Sequence, residues 1–397
     1  MLSFCSPSGT DSAYYLQYAA QCAAGGDCWN SFRPAGFILY ASLPYRMGWS
    51  PESLILMNLF LMALSTLLAG RAWNVLVPAL KRRSWIYSPF KYAFIGVAHL
   101  LFMWGAARVA ISDVPAACAG LISVWLFILA CGRNSALWLA GSGFFLGAAT
   151  SFRAFYYYPA YFFFLAAAFA CFKLRRIAPS ALAAFVLLAA FPILSQFALT
   201  SRHTGSWSLL EPRTTAYFEG SEMNLTAYGT GVVNNDPVYG VDGVGNDQLH
   251  WYTCGDCMNG TGGWVGALKR LDFRGIVKLA WMRNAFYFGS YVAQPAIASL
   301  KDRIFSVWIE LANWFAVLAA AALLWRIRNR WILGVPLFFV ASVWGLSIFI
   351  HPESRFIMLV LTLAWSLAPL AFLAGMDSDL TAVSAGAGIH ARVIDES

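Results

Sequence analysis

Apolar runs of roughly 15 to 20 residues recur along nearly the whole chain, broken by short polar loops, as a polytopic helical membrane protein requires. They predict spans near 52–70, 92–111, 115–131, 135–150, 158–172, 180–200, 305–325, 331–350 and 356–375. Several fall short of an ideal span, which implies flanking polar residues that snorkel or a locally thin bilayer. The hydrophobic stretch 275–297 carries Lys278, Arg283 and Asn284. It reads as an amphipathic or re-entrant helix at the interface rather than as a clean span.

Two long segments interrupt this array. Residues 1–51 form one extended loop region with aromatic and Gly/Pro punctuation. Residues 201–303 balance nine Lys/Arg against nine Asp/Glu, and their centre, 228–263, has the Gly, Asn and Asp content of turns and irregular loop. After Met376 the chain is small, polar and of the composition that stays disordered. The division is therefore an N-terminal transmembrane module with the first outer loop (1–200), a large extracytoplasmic loop region (201–303), C-terminal transmembrane helices (304–376) and a disordered cytoplasmic tail (377–397). The predicted fold is an all-α integral membrane bundle of about nine transmembrane helices, with interfacial helices in the first outer loop.

Composition narrows the class further. Hydrophobic residues make up 59% of the chain and charged residues 12%, against about 25% charged in an ordinary soluble domain. That contrast excludes the two or three soluble domains that 397 residues could otherwise form. The net charge of +8 comes with a one-sided distribution. Arg71 through Lys91, Arg133, Lys173/Arg175/Arg176 and Arg326/Arg328/Arg330 supply twelve positive charges and no acid. These loops alternate with loops poor in Lys and Arg, so they mark the cytoplasmic side and suit anionic lipid rather than nucleic acid. The N-terminus then lies outside and the tail inside. Because residues 1–11 are polar and too short for a signal peptide, an outside start predicts one further helix upstream of Met1.

Of eight cysteines, Cys118, Cys131 and Cys171 fall within spans as small apolar core residues. Cys5, Cys22, Cys28, Cys254 and Cys257 lie on the outer side, which favours an oxidising compartment and local disulfides Cys22–Cys28 and Cys254–Cys257. The CGDC motif also has thioredoxin-like spacing and half of a zinc ligand set. It lacks the βαβ setting of the first and the second ligand pair of the other.

Chemically specific residues collect on the outer side. Asp11 opens DSAYYLQYAA, with Tyr14 beside it, and is either a helix N-cap or a working carboxylate. Arg33–Pro34 precedes an apolar helix within SFRPAGFILY, an extended or turn geometry. Asp113, in ISDVPAA, stands where one span ends and the next begins. It is either a cap or a carboxylate held rigidly at the interface, where a charge is tolerable. Arg153, in TSFRAFYYYPA, either stacks on its aromatic neighbours and headgroups or binds a phosphate with its guanidinium fork. In HPESRF, His351 and Arg355 are four apart and share a helix face, whereas Glu353 and Arg355 face apart. His99, inside an apolar span, reads as a hydrogen-bonded interior residue.

The order of these elements is the specific signal. An outer Asp in the first loop comes first, then an RPxG element, SD-x-P at the second outer turn, an aromatic-rich Arg loop at the third and an E-x-R-F element late in the chain. The series resembles the GT-C superfamily of membrane glycosyltransferases, which includes aminoarabinose transferases, protein mannosyltransferases and bacterial arabinosyltransferases. The resemblance runs from about Asp11 to Arg355. It departs from the family pattern where Ser12 follows Asp11, since many members have an acidic pair there, and where no helix precedes the first loop.

The resemblance implies a polyprenyl-phosphate sugar donor, an inverting displacement and an active site at the outer face. Carried over by position, Asp11 is the general base and Asp113 a second carboxylate that orients acceptor or sugar. Arg355, with Arg153 and Arg33, binds the donor phosphate, and Tyr14, His351 and Glu353 belong to the substrate site. No resident cofactor is expected, although carboxylates at such a site leave room for a divalent cation. The acceptor is a lipid-linked glycan, polysaccharide or protein, in a multi-pass protein of the bacterial inner membrane with its site facing the periplasm or cell exterior. The competing readings are a carrier or flippase for lipid-linked glycans, which calls for charges deep within spans, and a glycan polymerase.

Overall fold

The computed structural model of the chain describes residues 10–30, 34–77, 84–108, 111–174, 178–209, 284, 288, 300–327, 330–349 and 357–373. Among these residues every regular element is helical. Two short helices come first, α1 (Thr10–Ala23) and α2 (Ala35–Arg46). There follow α3 (Ser53–Leu76), α4 (Ser84–Ala107), α5 (Asp113–Arg133), α6 (Ala136–Phe152), a single 3-10 turn (Ala154–Tyr156), α7 (Tyr157–Leu174) and α8 (Pro179–Thr204). The last are α9 (Leu300–Arg326), α10 (Arg330–Phe349) and α11 (Met358–Leu373).

A helix stands at each of the nine places where an apolar run predicts one. Seven of them (α3, α4, α5, α7, α8, α9 and α10) are long and apolar enough to cross a membrane, whereas α6 and α11 are shorter apolar helices. By the length and composition of those seven, the chain is an integral membrane protein. At 14 and 12 residues α1 and α2 are too short to span. They pack on each other around Tyr15, Ala19, Cys22, Phe37, Ile38, Ala41 and Leu54, a small core separate from that of the bundle.

The boundaries correct the extent of the first basic loop: Arg71, expected in it, lies inside α3, which runs on to Leu76. Lys91, expected in a basic loop, lies inside α4, because the helix begins at Ser84 rather than near residue 92. Its ammonium reaches Asn74 Oδ1 at 3.2 Å and rests on the Tyr92 ring at 4.9 Å. A lysine stem runs along apolar surface while its head finds polar company, so the helix can start before it. The large region beyond residue 209 and the tail lie outside the described residues, save helical Asn284 and Phe288 and the start of α9. Asn284 Oδ1 accepts from Trp344 Nε1 (2.7 Å), and Phe288 packs against Trp314 and Trp344.

Helix α5 is the hub. Its whole apolar window is buried, and it packs against α3, α4, α6 and α10. Small residues permit this: a Cβ at Gly120 would strike Leu359 of α11, and Ser123 and Ser142 exchange hydroxyl-to-carbonyl bonds of 2.8 Å in both directions between α5 and α6. Without a hydrophobic drive between helices in lipid, close approach and interhelical hydrogen bonds hold the bundle. Asn134, left-handed at φ 52°, ends α5 and lets the chain turn at once into α6. Buried His99 sits between α3 and α4 with Nδ1 on Ile95 O (2.9 Å) and Nε2 on Ser65 Oγ (2.8 Å). A carbonyl only accepts, so Nδ1 carries the proton and the Ser65 hydroxyl donates to Nε2.

The broadest pairing is α6 with α8. Gly143 and Gly147, four apart, face the carbonyl oxygens of Phe185 and Ala189 so closely that any side chain would collide with backbone. We expect Gly143→Val to cost about 3 kcal/mol, the upper end for overpacking, because backbone cannot swing away. Gly105→Ala meets nothing within 4 Å and should leave the melting temperature of purified protein unchanged or slightly raised. Equal melting of the two variants would contradict this packing.

Candidate functional site

Successive helices are joined by short connections, so the ends of α3, α5 and α7 lie at one end of the bundle and the ends of α4, α6 and α8 at the other. Asp113 is the first residue of α5 at that opposite end. Ser112, not Asp113, is the N-cap residue, and it makes no side-chain capping bond. The Asp113 carboxylate instead forms an ion pair with Arg153, with side-chain exposures of 2% and 11%. A buried carboxylate requires such a partner, and the start of a helix adds a favourable field for it.

Arg153 is delivered by a break in regular structure. α6 ends at Phe152, and Arg153 is extended (φ −149°, ψ 120°) before the 3-10 turn. Thr150 and Ser151 both donate to the Gly147 carbonyl at 2.7 and 3.0 Å, which competes with the last helical bonds and loosens the end of α6. The extended residue turns the guanidinium toward α5. Buried Tyr156, three residues on, lies within electrostatic reach of both members of the pair.

The N-terminal helices cover this place. Tyr15 Oη lies 3.5 Å from Ser112 Oγ, which brings α1 to the start of α5. Tyr14 Oη accepts from Asn30 Nδ2 at 2.5 Å, and its ring sits 4.6 Å from that of Tyr18. Gly36 of α2 presses on the backbone of Ser151, two residues before Arg153, and a Cβ there would collide with it. Tyr40 donates to Asn58 Oδ1 (3.0 Å), which ties α2 to α3, and burial raises its phenol well above the usual range.

Cys22 and Cys28 are joined in a disulfide. It closes a tight bend in which Asp27 Oδ1 accepts the Trp29 N–H (2.9 Å) and Asp27 Oδ2 meets His203 Nε2 (2.8 Å). The Trp29 and His203 rings stack at 4.6 Å. Cys28→Ser should cost about 2 kcal/mol by the loop-entropy relation for so short a loop. The check is thermal unfolding of the variant against wild type under non-reducing conditions, where the variant should melt lower; in reductant the two midpoints should converge.

The structure thus brings Asp113, Arg153 and the α1–α2 pair carrying Tyr14 to one end. Asp11 stands inside the first turn of α1, one turn before Tyr15, rather than capping the helix, since α1 begins at Thr10. The Asp11 side chain, Arg33, His351, Glu353, Arg355, Cys254 and Cys257 lie outside the described residues. Cys118, Cys131 and Cys171 are free and buried. Among the described residues no three His, Cys, Asp or Glu side chains come together, and the Asp113 carboxylate faces a guanidinium. Gln196 and Asn30, both buried at this end, escaped the sequence reading. For Gln196 there was a signal, a lone amide in an apolar helix, which in lipid marks an interhelical hydrogen bond.

No protein-family model matches the chain, and no curated protein matches it. Among solved structures the chain is similar to ArnT from Cupriavidus metallidurans bound to undecaprenyl phosphate. The identity is 13% and the TM-score 0.40, over 92% of this chain and 73% of that one. A similarity at that level bears on neither the ligand nor the activity of the present chain.

Proposed function

We propose that this chain is a membrane glycosyltransferase of the GT-C kind. It moves one sugar from a polyprenyl phosphate to an acceptor outside the cytoplasm, with inversion. The observation that carries the reading is the buried Asp113–Arg153 ion pair, roofed by α1 and α2. The order of the outer motifs supports it.

In this reading the acceptor hydroxyl gives its proton to the Asp11 carboxylate as its oxygen attacks the anomeric carbon. The anomeric carbon–oxygen bond to phosphate breaks on the opposite side, hence inversion, and the polyprenyl phosphate leaves with the bonding electrons. Arg153, with Arg355 and Arg33, meets the negative charge that builds on the leaving phosphate, where fixed cations accelerate most. Asp113 holds the Arg153 guanidinium in place before the donor arrives, and keeps a cation tolerable in a site largely shut from water. A planar fork with five donors can face a carboxylate on one edge and a phosphate on another.

The carrier reading calls for ionisable groups deep in spans. His99 is such a group, and both its ring nitrogens are already bonded within the bundle. Purified protein incubated with a radiolabelled polyprenyl-phosphate sugar tests the proposal. Label should pass to an added acceptor lipid, one sugar per donor consumed. Retention of all label on the donor would sink it, and chains of repeating length from lipid-linked glycan alone would point to a polymerase.

A further inference from the structure

Helix α8 carries a polar stripe at one end. Gln196, Thr200 and His203 are spaced i, i+4, i+7 and so share a face. Gln196 and Thr200 are buried, although most of α8 is turned away from the bundle. Burying an amide in a membrane helix is costly unless it is bonded, and Gln196 is bonded three ways. Its Oε1 accepts the Ala35 N–H at 2.8 Å, and its Nε2 donates to Leu209 O at 2.9 Å and to Thr200 Oγ1 at 3.3 Å.

The Ala35 contact meets a local need. Ala35 opens α2, whose first N–H groups have no partner within the helix, and the N-cap residue, Pro34, offers no side-chain bond. The missing cap is supplied by another helix. Seven residues on, His203 grips the same N-terminal segment through Asp27 and Trp29. On its other side the start of α2 bears on Ser151, two residues before Arg153, through Gly36. The beginning of α2 is therefore clamped between Gln196 and the turn that presents Arg153.

We infer that Gln196 is a positioning residue for the donor-phosphate site: by capping α2 from α8 it seats α2 on the Ser151–Arg153 turn and holds the guanidinium in its binding pose. Through Leu209 the same amide fixes the chain leaving α8, so the segment that leads into the outer region is held in register with α2. Gln196 touches no reacting atom and acts through α2. This inference rests on the glycosyltransferase reading for its kinetic consequence, while its structural core does not.

The test uses the full-length protein in lipid nanodiscs, as wild type, Gln196→Leu and His203→Ala. Hydrogen exchange is read on peptides covering residues 27–46, and donor kinetics with a polyprenyl-phosphate sugar. Gln196→Leu should speed exchange at the start of α2 by about tenfold and raise the donor KM by about tenfold, with a fall in kcat beside it. Loss of folded enzyme alone would instead lower apparent kcat and leave KM unmoved. His203→Ala, at the exposed end of the stripe, should speed exchange over 27–30 and raise KM less; it serves as the second readout if Gln196→Leu fails to fold. Unchanged exchange in the folded variants, or a fall in kcat at constant KM, overturns the inference. Failure of the wild type to use the donor would remove the functional reading alone, and the exchange comparison would still decide the role of Gln196.

Discussion

Arg153→Leu should lose both stability and donor affinity, and Asp113→Asn in the same background should return part of the stability but none of the affinity. The Asp113 carboxylate is 2% exposed and faces the guanidinium. Removing one member of a buried pair deprives the other of that charge partner and typically costs about 3–5 kcal/mol. The double variant buries an amide in place of the carboxylate and should recover about half of the loss. On the proposed function donor binding follows a different rule, because a phosphate would need the cation itself. A phosphate contact by Arg is charge-assisted and worth about 1.5–3 kcal/mol, so the donor KM should rise by at least about tenfold in both variants. Thermal unfolding and donor titration of the two singles and the double separate these effects. Equal stability of all four proteins would show that the pair is not buried as described.

Asp11→Asn is expected to have the largest effect on turnover. The amide has nearly the shape of the carboxylate but cannot take a proton, and a positioned base typically contributes about 10²–10⁴-fold. Transfer should fall by that factor while folded protein persists in the membrane and the donor still binds. Arg355→Ala should abolish transfer for the other reason, lost stabilisation of the leaving phosphate. Normal turnover in both variants would remove the assignment of Asp11 and Arg355 to the site.

The helices were legible because lipid leaves the backbone few alternatives: each long apolar run must satisfy its own N–H and C=O groups and does so as a helix. The placement of Asp113 at the start of α5 followed from Pro115 just beyond it, a residue at home in a first turn. The Cys22–Cys28 pairing was legible because the two cysteines stand only six positions apart. Contacts between distant loops were not. Asp113 and Arg153 are forty residues apart, and alternation of spans says only that their loops share a side, not that α5 and α6 bring them together. The N-terminal segment is a similar case. Its docking depends on Gly36 fitting against Ser151 and on a glutamine 161 residues away, and neither follows from any local pattern. Lys91 was misplaced because counting charges treats a lysine as a point, whereas its stem lets the helix run past it.

Sidedness joins the ion pair, the roofing helices and the proposed chemistry, and it can be measured in one experiment. Protein is reconstituted into sealed vesicles in a single orientation, fixed by protease protection of the residue 377–397 tail inside. Labelled polyprenyl-phosphate sugar and acceptor are then added only to the outside. The account predicts transfer of label to the outside acceptor, with release of one equivalent of polyprenyl phosphate, and no transfer when Asp11→Asn protein is used. Label that crosses to the vesicle interior without reaching an acceptor, or transfer that requires acceptor on the side of the tail, would contradict it.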